Sequence, residues 1–402
     1  MSLKSFHRSL AVLLAGTASV ASAQALTSNE SQVANAIATP TLTPTAATVG
    51  VQNSLAGLTA ANQQAAYAQF TPGGYGLLPE LTLRTAEFEE QTIRRYLRDF
   101  RAGGTGVNGE AGVAAPGDRK FGSFLVGGAT DGHYDADTDR NRTKYTSTNV
   151  MGGIDYRLGE RSLVGVTGGY VVADTRLDSS SPNSQIRNWF GGGYGTLGVG
   201  PLYLDLFGTY GKANYDLRRS VSFGNDTATP TLLDYASNTK SRTWVGGATT
   251  GLSFSYKGFE FEPFVGARYA NLRINGFSDG NDIGSIAMGS DKYESVLGNA
   301  GLRVGASFTI GEATFRPEIR GAYRHEFLKD GQNSFTYDFG GAGGATAANF
   351  IPTRLGRDYA TGGAGVTISG AHSPLSFVVD YNGEFASDRR INAFTGGLRM
   401  TF

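Results

Sequence analysis

Several acidic residues and one histidine lie close together in this sequence, where they could activate a water molecule for hydrolysis. Asp131 and His133 are followed closely by Asp135, Asp137 and Asp139. A carboxylate–imidazole pair can act as a general base, provided that a second set of groups holds and polarises the substrate. The sequence shows no second set that would converge on this one. We therefore interpret the cluster as a solvated acidic loop, and keep hydrolysis as a lesser hypothesis.

Two other histidines adjoin residues that could support chemistry. His372 precedes Ser373, but adjacent side chains of a strand point apart and this pair falls in a short turn. His325 shares one face of a predicted strand with Tyr323 and Phe327, which indicates an aromatic girdle at a membrane interface. The chain has no cysteine and lacks the serine-hydrolase, zinc-protease and calcium-loop motifs. We predict no catalytic, cofactor-binding or metal site, and no enzyme activity.

Two glycine-rich stretches contain the pattern G-x-G-x-x-G: GGYGTLG at 192–198 and GTGVNG at 104–109. A nucleotide-binding loop of this type needs a strand before it and a helix after it. The first stretch lies inside a strand-like segment and the second in a linker. Both are therefore interpreted as small residues at places where strands bend or pack closely.

The beginning of the chain has the features of a secretory signal peptide. Lys4 and Arg8 precede an apolar run, and an Ala-Ser-Ala motif ends at Ala23, so we predict a signal peptide over residues 1–23 that is cleaved after Ala23. The 35 basic and 35 acidic residues balance, which removes any general attraction to nucleic acid. No later apolar run reaches the roughly 18 residues of a transmembrane helix. An exported chain with these properties is a secreted β protein or an outer-membrane β-barrel.

The region before the strands divides into three parts. Residues 24–79 are rich in Ala, Thr, Gln and Asn, and predict short helices at NESQVANAIA and LTAANQQAAYAQF. Residues 80–101 predict one long polar helix, because good helix formers dominate and acidic residues precede basic ones, as the helix dipole favours. Residues 102–119 predict a flexible linker. The charged residues singled out on the long helix are Glu87, Glu90, Arg94, Arg95 and Arg98.

From Lys120 onward the apolar residues recur with a period of two, which predicts β-strands. In PLSFVVDYNGEF, Leu375, Phe377 and Val379 share one face, and the opposite face is largely polar. Apolar residues outside and charged residues inside are typical of a membrane barrel. We predict an all-β transmembrane barrel over 120–402, with about twelve antiparallel strands and an N-terminal helical segment in or at the pore. The predicted strands are 120–131, 145–157, 162–174, 185–198, 201–213, 241–256, 258–272, 292–310, 313–327, 355–369, 374–386 and 390–402.

The joints between these strands are tight after even-numbered strands and mostly long after odd-numbered ones, as expected for short periplasmic turns and long outer loops. The last strand is predicted to pair with the first near Phe121–Val126. Charged residues on the inward face could conduct ions selectively, or pair with one another and with the 80–101 helix. We favour pairing, because unpaired buried charge is costly and the lumen of twelve strands has room for a helix. These lumen-lining residues are Glu260, Glu262, Arg268, Arg316, Glu318, Arg320, Arg324 and Glu326.

Together these features resemble the autotransporter (type V secretion) β-domain. The stretches that carry the resemblance are FEPFVGARYANLRINGFSDG, RPEIRGAYRHEF and AFTGGLRMTF, and the similarity is strongest over 259–402. The resemblance implies a pore helix at 80–101 that leads outward to a passenger. It also implies insertion by the outer-membrane barrel-assembly machinery, with periplasmic chaperones as further partners. The C-terminal assembly signal that it implies consists of Phe394, Leu398, Met400 and Phe402.

One departure from that family concerns the passenger, because only about 55 residues, 24–79, lie between the signal peptide and the helix. So short a segment cannot form a solenoid with a stable core. The leading hypothesis is a non-enzymatic, monomeric translocator barrel in outer-membrane lipid that displays or exports this segment, without a nucleic-acid partner. The alternative is an outer-membrane pore or surface-binding protein whose N-terminal segment is luminal or periplasmic.

Overall fold

The structure is a computed structural model. It describes residues 25–38, 46–104, 120–136, 142–176, 183–224, 231–280, 284–328, 335–338, 347–350, 355–370 and 373–402. The predicted signal peptide, most of the predicted 102–119 linker, and Asp137, Asp139 and His372 lie outside these residues.

Twelve strands of the described chain form one antiparallel sheet in which each strand pairs with its neighbours in sequence, and the last pairs with the first. The prediction of a transmembrane-type barrel of about twelve antiparallel strands after a helical segment is thereby confirmed. The strands are β1 Phe121–Tyr134, β2 Thr143–Gly159, β3 Ser162–Arg176, β4 Ser184–Val199, β5 Leu202–Phe223, β6 Thr231–Leu252, β7 Phe259–Ile274, β8 Asp291–Ala306, β9 Ala313–Glu326, β10 Asp358–Gly370, β11 Leu375–Phe385 and β12 Arg389–Thr401.

The barrel closes where sequence analysis expected it to close. Gly122 pairs with Thr401 and Val126 pairs with Gly397 across β1 and β12. Beyond the strand ends, Phe121 and Phe402 exchange two backbone hydrogen bonds of 3.0 Å. Closure leaves none of the twelve described strands with an unpaired edge, as a membrane barrel requires.

Strands β5 and β6 are longer than predicted. Their pairing continues without a break from Leu202 opposite Leu252 to Phe223 opposite Thr231, so most of the segment interpreted as a long outer loop is a hairpin. Its outward residues there are mainly polar, and the alternation that marks a lipid-facing strand fades. The hairpin therefore extends past the lipid-facing part of the wall, which is why hydrophobic periodicity missed it.

Tight turns lie at one end of the barrel and long connections at the other, which orients it with the tight turns in the periplasm. The turns Gly200–Pro201, Lys257–Gly258 and Gly311–Glu312 join neighbouring strands. Gly200, Gly258 and Gly311 have φ of 57°, 83° and 60°, a backbone conformation that glycine adopts without steric cost. The other end is the outer mouth.

In the described part of the N-terminal region four α-helices precede the barrel: α1 Ser28–Ala38, α2 Ala46–Ala56, α3 Ala60–Phe70 and α4 Leu78–Gly104. Helix α1 begins with a capping box, in which the Glu30 amide donates to Thr27 Oγ1 at 3.2 Å and the Thr27 amide donates to Glu30 Oε2 at 2.8 Å. Sequence analysis anticipated α1, α3 and α4 but not α2. Within the described residues, no helix is both long enough and apolar enough to cross a membrane.

Helices α1 to α3 cover the outer mouth of the barrel, and we call them the cap. Val33, Leu55, Ala66 and Phe70 of the cap belong to one buried apolar cluster with residues from the outer ends of the strands. Those strand residues include Tyr134, Tyr145, Ile186, Tyr215, Val221, Phe223 and Tyr235. Apolar burial therefore holds the cap on the barrel.

Candidate functional site: a charged helix in the barrel lumen

Helix α4 runs along the inside of the barrel with its N-terminal end at the outer mouth. Near that end, Thr82 Oγ1 lies 2.6 Å from the hydroxyl of Tyr215, on the outer part of β5. Near the other end, Arg101 pairs with Asp205 and lies 3.5 Å from Glu262, close to the periplasmic turns. The helix therefore spans the lumen and connects the cap to the periplasmic side.

The middle of α4 carries two carboxylates that face two arginines of the wall. Glu87 pairs with Arg324 of β9, and its other oxygen lies 3.3 Å from Arg268 of β7. Glu90 lies 3.4 Å from Arg268 and 3.8 Å from Arg324. All four side chains are at most 10% exposed. Burial without these partners would be costly, so the four groups stabilise α4 only as a set.

The fifth and sixth turns of α4 reverse the polarity, with cations on the helix and anions on the wall. Arg95 pairs with Asp380 of β11 and Arg98 pairs with Glu318 of β9. The wall arginine Arg320 is bidentate to Asp380, at 2.6 and 2.9 Å. Arg320 also donates to Glu318 at 2.9 Å, so both carboxylates have a partner in the wall as well as on the helix.

A second wall network lies beside this one. Arg303 of β8 bonds Glu260 at 2.8 Å and Glu262 at 3.1 Å, and lies 3.4 Å from Glu318. Because Glu262 also faces Arg101 and Glu318 also faces Arg98, wall and helix share one continuous set of charges. The predicted lumen charges Glu260, Glu262 and Glu318 therefore meet here.

The outer turn of α4 has a further ion pair that sequence analysis missed. Arg84 pairs with Glu384 of β11, lies 2.6 Å from Glu80 and donates to the Tyr134 hydroxyl at 3.1 Å. Arg389 of β12 holds the same Glu384 at 2.5 Å. The alternation in PLSFVVDYNGEF puts Glu384 on the same polar face as Asp380, but it does not reveal the partner on the helix.

Hydrogen bonds from uncharged side chains of the wall complete the attachment of α4. Asn188 of β4 donates to Thr85 Oγ1 at 2.8 Å, and Thr209 of β5 donates to Glu89 at 2.6 Å. On the other side of the helix a space of roughly 1050 Å³, partly open to solvent, lies among the side chains that α4 and strands β1, β10, β11 and β12 turn towards each other. The helix therefore lies off the barrel axis, packed most closely against β4, β5 and β7.

Three predicted charged residues do not take part in pairs between helix and wall. Arg94 pairs within the helix, 3.1 Å from Glu90, and its guanidinium lies 4.8 Å from the ring centre of Phe264. Glu326 accepts hydrogen bonds at 2.6 and 2.8 Å from β8, a neighbour in the wall. Arg316 faces the lumen without an ion pair in the part of the chain that the structure describes. Inward orientation follows from strand periodicity, whereas the partner depends on the position of the helix.

A buried polar cluster ties the cap to the outer extension of the barrel. Arg219 of β5 donates to Asp279 Oδ2 at 2.9 and 3.1 Å, and Tyr75 donates to the same oxygen at 3.1 Å. Gln69 of α3 accepts a 2.8 Å hydrogen bond from the Ser222 amide. Burial raises the pKa of the Tyr75 phenol, so this group stays a protonated donor. Sequence analysis missed the cluster because it treated Arg219 and Ser222, which belong to β5, as part of an outer loop.

The histidines with adjacent carboxylates lie on the outer surface of the barrel. Asp131 and His133 have the outward positions of β1, and His133 Nε2 lies 3.5 Å from Asp135. His325 Nδ1 lies 2.6 Å from Asp358, and its ring contacts Phe327 with 4.7 Å between ring centres. Neither group faces the lumen or the cap. Among the described residues no cluster of three or more His, Asp and Glu side chains could hold a metal ion.

The closing strand presents the predicted assembly signal to the outside. Phe394, Leu398, Met400 and Phe402 are between 41% and 61% exposed and alternate with inward residues of β12. The ring of Phe402 stacks on Phe121, with 6.1 Å between centres and 14° between planes. The four side chains thus form one accessible apolar face.

A closed barrel with a helix through its lumen, leading from the periplasmic side to the outer mouth, defines the architecture of a secretion translocator. The family description "Autotransporter beta-domain" matches residues 124–382 of this chain. The chain therefore belongs to the autotransporter β-domain family, whose barrels lie in the outer membrane. No curated protein sequence matches this chain.

Solved structures with the same fold include two autotransporter domains. The translocator domain of NalP from Neisseria meningitidis has a TM-score of 0.59 at 12% identity, over 81% of this chain and 99% of that one. The β-domain of BrkA from Bordetella has a TM-score of 0.50 at 18% identity, over 70% of this chain and 100% of that one. At these identities the likeness concerns the fold alone.

Replacing Glu87 tests the role of the buried charges in holding α4. Glu87→Gln leaves Arg268 and Arg324 without one of their carboxylates, and we expect it to lower the free energy of unfolding by about 3 kcal/mol. The matched control is Asp216→Asn, which removes the same charge from an ion pair with Arg187 whose side chains are 39% and 42% exposed. That change should lower the free energy of unfolding by less than about 1 kcal/mol. Urea unfolding in lipid bilayers measures both, and equal losses would contradict the account.

Proposed function

We propose that this chain is a non-enzymatic autotransporter-type translocator that displays its own short N-terminal segment, residues 24–79, as a cap at the cell surface. The observation that carries the proposal is the continuous path from α4 in the lumen to helices α1 to α3 on the outer mouth. Export through the predicted signal peptide, cleaved after Ala23, would bring the chain to the periplasm first. The barrel would then deliver the segment outward and keep it.

The composition of the segment supports passage through this lumen. Between residues 24 and 79 the sequence has one charged residue, Glu30. A nearly uncharged segment forms few competing ion pairs with wall charges such as Arg324 and Asp380 while it passes. The charged part of the chain begins at Glu80, where the helix that stays in the lumen begins its polar surface. The change in composition thus separates the part that is exported from the part that remains.

Retention of the segment follows from what it buries. The cap contributes Val33, Leu55 and Phe70 to the apolar cluster at the outer mouth. The Phe70 ring also packs on Phe223 with 5.9 Å between centres. Release would expose these surfaces to water, which opposes dissociation. We therefore propose an uncleaved, displayed segment.

The absence of enzyme activity is part of the same proposal. The support is that Asp131, His133 and His325 have outward positions on their strands. The barrel wall therefore separates each of these side chains from the lumen and the cap. Catalysis needs groups that converge on one substrate position. In the described part of the chain these side chains do not converge.

We also propose that β12 carries the signal that the barrel-assembly machinery recognises, with periplasmic chaperones as earlier partners. Its support is the accessible apolar face of Phe394, Leu398, Met400 and Phe402. We propose that the protein is a monomer in outer-membrane lipid. The rest of its exposed apolar surface is then covered by lipid, without a second subunit. Nucleic acid is not among the proposed partners, because the net charge is zero.

Surface labelling tests display of the segment. The chain has no cysteine, so Asn53→Cys, at an exposed position of α2, introduces a single thiol. We expect a membrane-impermeant maleimide to modify it on intact cells. The matched control is Glu160→Cys, in an exposed periplasmic turn, which should react only after the outer membrane is permeabilised. Protection of Asn53→Cys in intact cells would favour a periplasmic or luminal segment instead.

Substitution of the Phe402 side chain tests the assembly signal. We expect Phe402→Ala to lower the amount of barrel in the outer membrane several-fold, while the assembled fraction keeps its melting temperature. The control is Phe308→Ala, because Phe308 is similarly exposed and stacks on Phe315 with 5.8 Å between ring centres. This control loses the same aromatic stacking outside β12. Equal outer-membrane levels of the two variants would contradict recognition of Phe402.

A further inference from the structure

Four basic residues form one row across neighbouring strands on the outer surface of the barrel. Lys212 of β5 is directly opposite Arg242 of β6, Arg242 is opposite Arg273 of β7, and Arg273 is opposite Lys292 of β8. All four side chains are exposed. We call them the basic row. With about 4.8 Å between strands, the row spans roughly 14 Å.

The row is unfavourable for the isolated barrel. Like charges directly opposite each other in a sheet repel and lower its stability. Lys292 is offset by Glu294 at 2.9 Å, and Lys212 lies 5.8 Å from the ring centre of Tyr210. Across the described residues, Arg242 and Arg273 form no ion pair with a carboxylate. Their repulsion is relieved when an anion binds between them.

Aromatic residues place the row at a definite depth in the membrane. Trp189 is opposite Lys212, and Trp244 follows Arg242 by two residues on the same face of β6, towards the periplasmic end. These two tryptophans are 62% and 61% exposed, and Trp244 packs on Tyr210 with 4.5 Å between ring centres. Exposed tryptophan and tyrosine mark the boundary between acyl chains and headgroups. The basic row therefore lies at this boundary, level with Trp189 and two residues outward of Tyr210 and Trp244, where its long side chains reach the headgroups.

We propose that Lys212, Arg242, Arg273 and Lys292 bind the phosphate groups of phosphorylated lipid headgroups in the outer leaflet. Guanidinium groups form bidentate bonds to phosphate, and the ammonium groups at both ends of the row add point charges. The length of the row lets it contact more than one phosphate of a headgroup. Free phosphate would have to bind an open, solvated surface, whereas the acyl chains of a lipid pack beside the exposed tryptophans.

The only two tryptophans of the chain flank the basic row, so intrinsic fluorescence reports its occupancy. The full-length protein is reconstituted in dibrominated phosphatidylcholine, whose bromine atoms quench tryptophan. Unbrominated bisphosphorylated lipid A is then added as an increasing fraction of the lipid. We expect lipid A to bind near the tryptophans more strongly than unbrominated phosphatidylcholine does. Lipid A should therefore displace the quencher, and restore tryptophan fluorescence, at a lower fraction of the lipid. Dephosphorylated lipid A should show no such preference.

The variant Arg242→Gln with Arg273→Gln removes the centre of the row. We expect its preference for bisphosphorylated lipid A to fall by roughly 25-fold, about fivefold for each cation lost. The matched control, Lys120→Gln with Lys257→Gln, removes two exposed cations near the periplasmic turns and should keep the preference. Heat-dependent migration in gels confirms that both variants fold.

Three results would overturn the proposal. The first is equal binding of bisphosphorylated lipid A and phosphatidylcholine to the unmodified protein. The second is an equal loss of preference in the two double variants, because overall charge would then explain the effect. The third is full competition by inorganic phosphate in the buffer, which would assign the row to free phosphate instead of lipid.

Discussion

The structure depends on a single constraint, which is that charges inside a membrane barrel must have partners. Strand periodicity puts apolar residues towards lipid and therefore puts Arg268, Arg324 and Asp380 inside. A wall of this kind is unstable around an empty, poorly hydrated lumen. Helix α4 supplies the complementary charges, with Glu87 opposite the arginines and Arg95 opposite the aspartate. Wall and helix are thus each incomplete without the other.

The position of α4 determines what the rest of the N-terminal region can do. Because the helix has its N-terminal end at the outer mouth, everything before Leu78 in the described chain emerges on that side. The outer hairpin of β5 and β6 extends far enough to receive it, and Arg219, Asp279 and Tyr75 join the two parts. The same strands that form the lumen therefore also form the platform for the cap. In the function that we propose, secretion and display are both consequences of this one arrangement.

Sequence analysis anticipated the features that depend on local pattern. The alternation in PLSFVVDYNGEF and in the closing strand predicted the strands, the face that contacts lipid and the pairing of β12 with β1. Local pattern could not predict contacts between segments that are far apart in the sequence. Arg219 and Asp279 are 60 positions apart, and their pairing depends on an outer hairpin without lipid-facing alternation. Arg94 and Arg316 were chosen for their charge, but whether each finds a wall partner depends on where the helix lies across the lumen.

A disulfide between helix and wall tests the central claim most directly. Thr85 of α4 and Asn188 of β4 are joined by a 2.8 Å hydrogen bond, and the chain has no cysteine of its own. In cells that produce Thr85→Cys with Asn188→Cys, mild oxidation should give an intramolecular disulfide in the folded outer-membrane protein, whereas Thr85→Cys alone should keep a free thiol. A folded barrel in which both introduced thiols stay free would contradict a helix held against this wall.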